Sequence, residues 1–449
     1  MSKQRIQLSD HFTYFRLLRF VLPCIGTTLF TSIYGIVDGL CVSNFVGKTA
    51  FAAVNLIMPL PMLLGTIGFM LGTGGSAIVG ITLGEGDQKK ADRYFTLFLL
   101  AALVSVSVLA VLGIVFLRPI AVLLGAKGEL LDYAVRYGRI LMVSLPTFAL
   151  QNMFQSFFVT AEKPHLGFWF TVGAGCTNIV LDVLIVGVWG WGVEGAAIAT
   201  FISQLVGGVL PVFYFIDRSN SSRLHLCKTS FYSKVLRDAC INGSSELMTN
   251  LSMSLVNILY NYQLLRLAGE NGVAAYGVIM YAAFLFVAVF VGYAVGSAPI
   301  VSFHYGARNH AEVHNLYRKS LRLIAVVAVT LTLASMFIIP CVARIFVGYD
   351  AELLALTSRA FRLYALSFLI MGFNVYASSF FTALGDGVTS ALISFLRTLA
   401  FQVIAILLLP LLLGIDGIWL AVTAAELAAL AVSAAMLLAK DKVFHYRKA

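Results

Sequence analysis

Long uninterrupted apolar runs constrain this chain more than any other feature of its 449 residues. A bilayer core about 30 Å thick is crossed by roughly 20 residues of helix rising 1.5 Å each. Cutting at clusters of charge, glycine and proline gives twelve such runs: 19–43, 51–83, 95–117, 137–160, 165–190, 192–216, 239–265, 273–303, 321–347, 361–383, 388–412 and 414–438. Only 12% of the residues are charged and 60% are hydrophobic, against roughly 25% charged in a soluble domain. The apolar surplus must face lipid. A cytosolic enzyme, a nucleic-acid-binding module and a secreted disulfide scaffold are thereby excluded, and the expected fold class is an all-α membrane protein. The net charge of +10 lies in short loops, where attraction to an anionic leaflet accounts for it. Cys24, Cys41, Cys176, Cys227, Cys240 and Cys341 show no CxxC spacing, and the seven histidines form no HExxH motif. The cysteines read as small apolar side chains, and no resident cofactor or structural metal is expected. The first apolar run lacks a small-residue cleavage site and reads as a retained span.

Basic residues orient the spans. With the N-terminus in the cytoplasm, that side collects 21 Lys and Arg and the outer side 9, leaving Arg397 inside span 11. Lys3, Arg5, Arg16 and Arg19 begin the cytoplasmic set and Lys440, Lys442, Arg447 and Lys448 end it. The excess follows the positive-inside rule. It places both termini in the cytoplasm of a multi-pass membrane protein, and the bacterial plasma membrane is the expected location.

The chain also repeats itself. GKTAFAAVNLIM from Gly47 to Met58 aligns with GENGVAAYGVIM from Gly269 to Met280 at an offset of 222. The same offset pairs Gly74 with Gly296, Gly84 with Gly306, and Gly192-Val-Glu-Gly195 with Gly414-Ile-Asp-Gly417. At 223, Glu129-Leu130-Leu131 meets Glu352-Leu353-Leu354, and Ser156-Phe157-Phe158 meets Ser379-Phe380-Phe381. Each half holds six spans, so both copies share one orientation, the parallel type of repeat. The expectation is two pseudo-symmetric six-helix bundles: an N-lobe 1–216, a polar cytoplasmic linker 217–238, and a C-lobe 239–449. Lobes tied in this way can rock about a central cavity, as alternating access requires.

An ionisable group inside a span costs at least a few kcal/mol and is a functional candidate by default. Span 1 carries Asp38, span 5 carries Asn178 and Asp182 on one helix face, and span 6 carries Thr200. All four lie within roughly 15 Å of the outer surface at 1.5 Å per residue, so they can meet at one depth. Two carboxylates side by side in low dielectric resist joint ionisation and can share one proton. The same oxygens also suit Na⁺. Helix packing alone is the plain alternative for Asp38 and Asp182. At offset 222 Asp38 maps to Tyr260 and Asp182 to Ile404, so ion coupling is expected in the first lobe. Pro23 interrupts the backbone ladder of span 1 and is the expected hinge.

Span 7 carries Glu246, Asn250, Asn257 and Asn261, which fall within about 60° of one another at 100° per residue. This polar stripe is expected to face a cavity or another helix. Glu246 there either attracts a cationic substrate or exchanges protons, or else pairs structurally with Arg397. Arg397 and Glu426 either line the cavity or pair with each other. Gln151, Gln155, Asn374, Tyr260 and Gln402 bond either to substrate or between helices. The 34 Phe, 18 Tyr and 12 Met would suit a promiscuous pocket. Gly84-Glu-Gly-Asp87 resembles a P-loop fragment, but no Gly-Lys-Ser/Thr follows, which argues against ATP coupling.

These motifs resemble the multidrug and toxic-compound extrusion (MATE) family over nearly the whole chain. The resemblance rests on Val37-Asp38-Gly39, Gly47 with Ala52-Ala53, Gly84-Glu-Gly-Asp87 with Ala91, Asn178-x3-Asp182 and Gly192-x2-Gly195-Ala196-Ala197 through Ala199-Thr200. Ala274-Ala275 and Tyr305-Gly306-Ala307 echo it in the second half. It implies a V-shaped 6+6 exporter of drugs, often cationic, driven by inward H⁺ or Na⁺, with no cofactor and no enzymatic activity. It further implies that Asp38, Asn178, Asp182 and Thr200 form an N-lobe cation site, as in the archaeal and some bacterial members. Glu246 does not occupy the deeper position of the span 7 glutamate in the NorM-type branch; Met253 falls nearer to it. Expected partners are small-molecule drugs or toxic organic cations and membrane lipids, without nucleic acid, and the protein is expected to act as a monomer. The rival readings are a lipid-linked precursor flippase of the same superfamily, which would carry several cavity arginines, and a membrane-embedded transferase, which would need catalytic groups in the outer loops. A major-facilitator reading lacks its loop signature in GEGDQKKADRYF.

Overall fold

The computed structural model describes residues 6–348 and 350–447, with some side chains near residues 39–51 and 340–348 left out. Lys3, Arg5 and Lys448 of the basic termini, with Tyr349, lie outside the described residues. All regular structure among the described residues is helical. Span 1 is Tyr14–Phe45, and span 2 is Lys48–Ile57 followed by Pro59–Gly84. Span 3 is Gln88–Leu123 and span 4 Gly128–Thr160. Span 5 is Pro164–Leu181 continuing as a π-helical turn Asp182–Val188; span 6 is Gly192–Gly208 with Leu210–Ile216. Helix Ser244–Gly306 has 63 residues and contains spans 7 and 8. At 1.5 Å per residue it would run about 95 Å, three bilayer cores. It breaks at Gly269, whose φ of 60° only glycine takes without strain. Span 9 is His310–Val347. Span 10 is Ala351–Ala365 with Phe368–Ala383, bent by 46°. Span 11 is Gly387–Phe395, a π-helical turn Leu396–Ala400, and Phe401–Leu413; span 12 is Ile415–Ala439.

Several helices outrun the apolar runs that announce them. Span 3 begins at Gln88 rather than 95, span 4 at Gly128 rather than 137, span 9 at His310 rather than 321 and span 10 at Ala351 rather than 361. Side chains cap the starts of spans 3, 9 and 10, while span 4 begins at Gly128 without such a cap, and in each the backbone ladder runs on past the apolar stretch. Asp87 caps span 3 by accepting from the Lys90 N–H at 3.0 Å, and Asn309 caps span 9 by accepting from the Glu312 N–H at 3.1 Å. The P-loop-like glycines thus precede a helix cap. Residues 239–242, read from sequence as the start of span 7, belong instead to a linker helix Ser233–Asn242.

The repeat is written into the backbone as well. Left-handed residues Gly47 and Gly269, Gly86 and Arg308, and Gly192 and Gly414 are each 222 apart, as are the caps Asp87 and Asn309. The lobes meet on a seam running from mid-span to the face that carries both termini. Thr28 of span 1 donates its hydroxyl to the Ala288 carbonyl of span 8 at 2.7 Å. Nearer the termini, a Cβ on Gly80 would lie 2.8 Å from Ser302 Cβ, and one on Gly84 would overlap the Phe303 carbonyl. The linker packs along span 3, where the His225 and Cys227 N–H groups donate to Asp92 Oδ1 at 3.0 Å and Thr96 Oγ1 at 3.1 Å.

Candidate functional site

Two lobes of six spans, each with a π-helical turn in its fifth span, focus attention on what those turns present. A π turn inserts an extra residue and loosens the ladder, an arrangement frequent at functional sites. In the N-lobe the turn starts at Asp182, which is completely buried, one helical turn after the buried Asn178. The carboxyl of Asp38 on span 1 lies within hydrogen-bonding reach of that of Asp182. Two carboxylates are both acceptors, so only a proton or a cation between them turns that approach into a bond. Asp38 Oδ1, both oxygens of Asp182, Asn178 Nδ2 and the hydroxyl of Tyr137 have no hydrogen-bond partner among the described residues. Buried polar atoms are otherwise almost always paired. Oxygen-rich and acidic, the set fits a proton or a small hard cation.

Tyr137 on span 4 is the member the sequence reading missed. It is fully buried and feels the charge of both aspartates, yet nothing in its surroundings, YAVRYGR, distinguishes it from a packing aromatic. Tyr34, one turn before Asp38, shares a side-chain hydrogen bond with Gln151. Thr200 is half-buried and donates its hydroxyl to the Ala196 carbonyl at 3.0 Å; the structure records no bond from it to the acidic pair. Span 1 runs unbroken through Pro23, whose carbonyl accepts from the Thr27 hydroxyl at 2.9 Å.

The C-lobe holds a different arrangement. Tyr260, equivalent to Asp38, is buried, donates to the Ile418 carbonyl at 3.3 Å and stacks on Tyr276. It packs inside the lobe. The π turn of span 11 carries Arg397, and its Nε lies 3.7 Å from Glu426 Oε1. Asn374 donates to Glu426 Oε2 at 2.7 Å and accepts from Ser433 Oγ at 2.9 Å. Glu426 and Asn374 are buried at 1% and 0% exposure and bonded to each other inside the lobe. Arg397 also exerts its field on Glu246. On span 7, Asn257 is exposed and Asn250 and Asn261 half-buried, with Asn261 donating to the Asn257 carbonyl at 2.9 Å. Exposed amides on a spanning helix belong at a water-filled cavity, and Glu246 shares their stripe. Gln151 is buried and Gln155 half-buried on span 4. Truncating Glu426→Ala strands Arg397 without its buried counter-charge, at about 3–5 kcal/mol. The expected result is a fall of several degrees or more in the thermal unfolding midpoint of the detergent-purified protein.

This architecture defines a membrane transporter of two inward-packed lobes, with an acidic pair in one and an ion-paired cluster in the other. The MatE family model matches residues 23–184 and again residues 247–408. The chain belongs to the MATE family. Its second match starts 224 residues after the first, close to the offset seen in sequence and backbone. It is 21% identical over 433 residues to a protein named multidrug export protein MepA of Staphylococcus saprophyticus, covering 95% of this chain and 94% of that one. Among solved structures it superposes on a MATE family transporter described as outward-facing, with a TM-score of 0.92, 22% identity and full coverage of both chains. A MATE structure in a bent conformation gives a TM-score of 0.88 at 23% identity, covering 99% of this chain and 100% of that one.

Proposed function

We propose that this transporter exports amphipathic, cationic small molecules in exchange for inward H⁺ or Na⁺. The observation that carries the coupling is the Asp38–Asp182 pair, backed by Asn178 and Tyr137, whose buried atoms find no hydrogen-bond partner among the described residues. The cargo class follows from the relatives named multidrug export proteins. In this reading the ion enters the N-lobe from outside, reorganises span 1 beside its π-turn partner, and displaces substrate from the cavity between lobes 1–216 and 239–449. Release of the ion to the cytoplasm resets the cycle. Thr200 completes the ion site by turning its hydroxyl from Ala196, and Pro23 supplies the hinge. Glu246, Asn250, Asn257 and Asn261, with Gln151, Gln155 and Arg397, form the substrate-facing wall. The protein acts as a monomer in the bacterial plasma membrane, with both termini cytoplasmic, and belongs with the members that use an N-lobe cation site. The flippase reading needs several free cavity arginines, whereas Arg397 is engaged by Glu426.

Dye efflux from vesicles, with pH and Na⁺ gradients imposed separately, tests the reading. One gradient alone should drive export. Export that ignores both gradients would remove the antiport proposal.

A further inference from the structure

Ahead of span 1, residues 6–13 form no helix, yet Leu8 and Phe12 are completely buried. Two glutamates hold this arm, one from each lobe. Glu162, on the loop between spans 4 and 5, accepts the Leu8 N–H at 2.9 Å, and the same oxygen accepts Arg223 of the linker at 2.6 Å. Glu312, in the first turn of span 9, accepts the Phe12 N–H at 2.9 Å, pairs with His11 Nδ1 at 2.6 Å and accepts from Asn315 at 2.8 Å. The Phe12 carbonyl in turn accepts from Lys319 at 2.6 Å and Asn315 at 3.1 Å. The Phe12 ring sits edge-on to Phe20 and to His304 in the last turn of span 8.

The arm is covalently part of the N-lobe, so everything it gives Glu312, Asn315, Lys319 and His304 crosses between lobes. It lies beside the seam, where Gly84 and Gly306 bring spans 2 and 8 into backbone contact. Separating spans 1 and 2 from span 8 on this face therefore requires the arm to leave Glu312. That carboxylate's side chain is only 7% exposed, and charge-assisted bonds of this kind are among the stronger ones.

We infer that Glu312 is a positioning residue of the transport cycle: it clasps the arm and sets how readily the face bearing the termini opens. The inference rests on the alternating-access reading, not on which ion is coupled. Weakening the clasp should favour the state open on that face, lowering the KM for substrate presented there and lowering the apparent affinity for the coupling ion on the other face.

The test uses full-length protein and its own Cys24. This thiol is buried in the seam against Gly296, so its alkylation by N-ethylmaleimide, followed by peptide mass spectrometry, reports opening without ion or substrate. Glu312→Ala removes both bonds to the arm and should speed Cys24 labelling at least about tenfold, the shift that loss of even one charge-assisted hydrogen bond carries. Glu312→Gln keeps an acceptor for the Phe12 N–H and should fall between Ala and wild type, and KM should fall in the same order. Cys24 labelling that stays at the wild-type rate in both variants would overturn the inference. So would equal acceleration at Cys24 and at Cys227, whose N–H is held by Thr96 of span 3, since that marks general loosening. Because labelling needs no gradient, failure of the antiport reading leaves this result standing and the two failures stay distinct.

Discussion

Replacing Asp38 by Asn is expected to abolish gradient-driven efflux in vesicles while leaving the protein folded. Asparagine matches aspartate in size but neither takes up a proton nor carries the charge that attracts Na⁺. Asp182, buried at 0% exposure, would lose the partner that makes a shared proton or cation site. The second lobe has no mirror of the pair, because Tyr260 stands at the place equivalent to Asp38 and its hydroxyl is already committed to the Ile418 carbonyl. A ligand shifts a two-state equilibrium only by its differential affinity for the states, so a transporter without that ligand's site should lose more than about tenfold in driven rate. Asp182→Asn should do the same. Tyr137→Phe, which removes one oxygen and neither charge, should give a partial loss. An unchanged unfolding midpoint would separate lost coupling from misfolding. Gradient-driven efflux that survives Asp38→Asn would move the coupling site elsewhere in the protein.

What sequence could and could not disclose follows from the physics of each feature. The spans were legible because hydrocarbon demands long apolar stretches, and the repeat because a single offset persists through loops and spans. The ends of spans 3, 4, 9 and 10 were not, since helical hydrogen bonding continues through Gln88, Gly128, His310 and Ala351 without any apolar signal. The depth shared by Asp38 and Asp182 could be read from their spacing along spans 1 and 5. The π turn that begins at Asp182 was invisible, because hydrophobic periodicity is silent on which carbonyl an N–H reaches. Tyr137 was hidden among packing aromatics for a similar reason: its chemistry depends on neighbours from two other spans. Glu426 and Asn374, candidates for the cavity by polarity alone, turned out to be satisfied inside the lobe. The arm at residues 6–13 carries no periodicity, and only tertiary contacts reveal its role.

The seam gives the second large effect. Gly84 faces the backbone of Phe303, and Gly306 faces that of Ile81, so each contact is the image of the other under the offset of 222. Gly74 against Gly243 and Gly296 against Val21 form a second such pair. A contact that maps onto itself under an approximate two-fold axis should respond equally from either side. Gly84→Val and Gly306→Val should therefore act alike, although they lie in different lobes and sequence contexts. A side chain at either position meets a backbone carbonyl, which cannot turn aside as a side chain can. Overpacking of this kind costs about 1–3 kcal/mol, roughly a five- to 150-fold change in the ratio of closed to open seam. Both variants should accelerate Cys24 alkylation and slow driven efflux by a similar factor. Gly35→Ala is the control, because a Cβ there meets nothing within 4 Å; it should transport as wild type. If Gly84→Val and Gly306→Val keep wild-type labelling and efflux, the seam is not the barrier that the cycle must open. If only one of them is impaired, the two lobes do not share the contact symmetrically, and the rocking of matched halves would have to be replaced by motion of a single span.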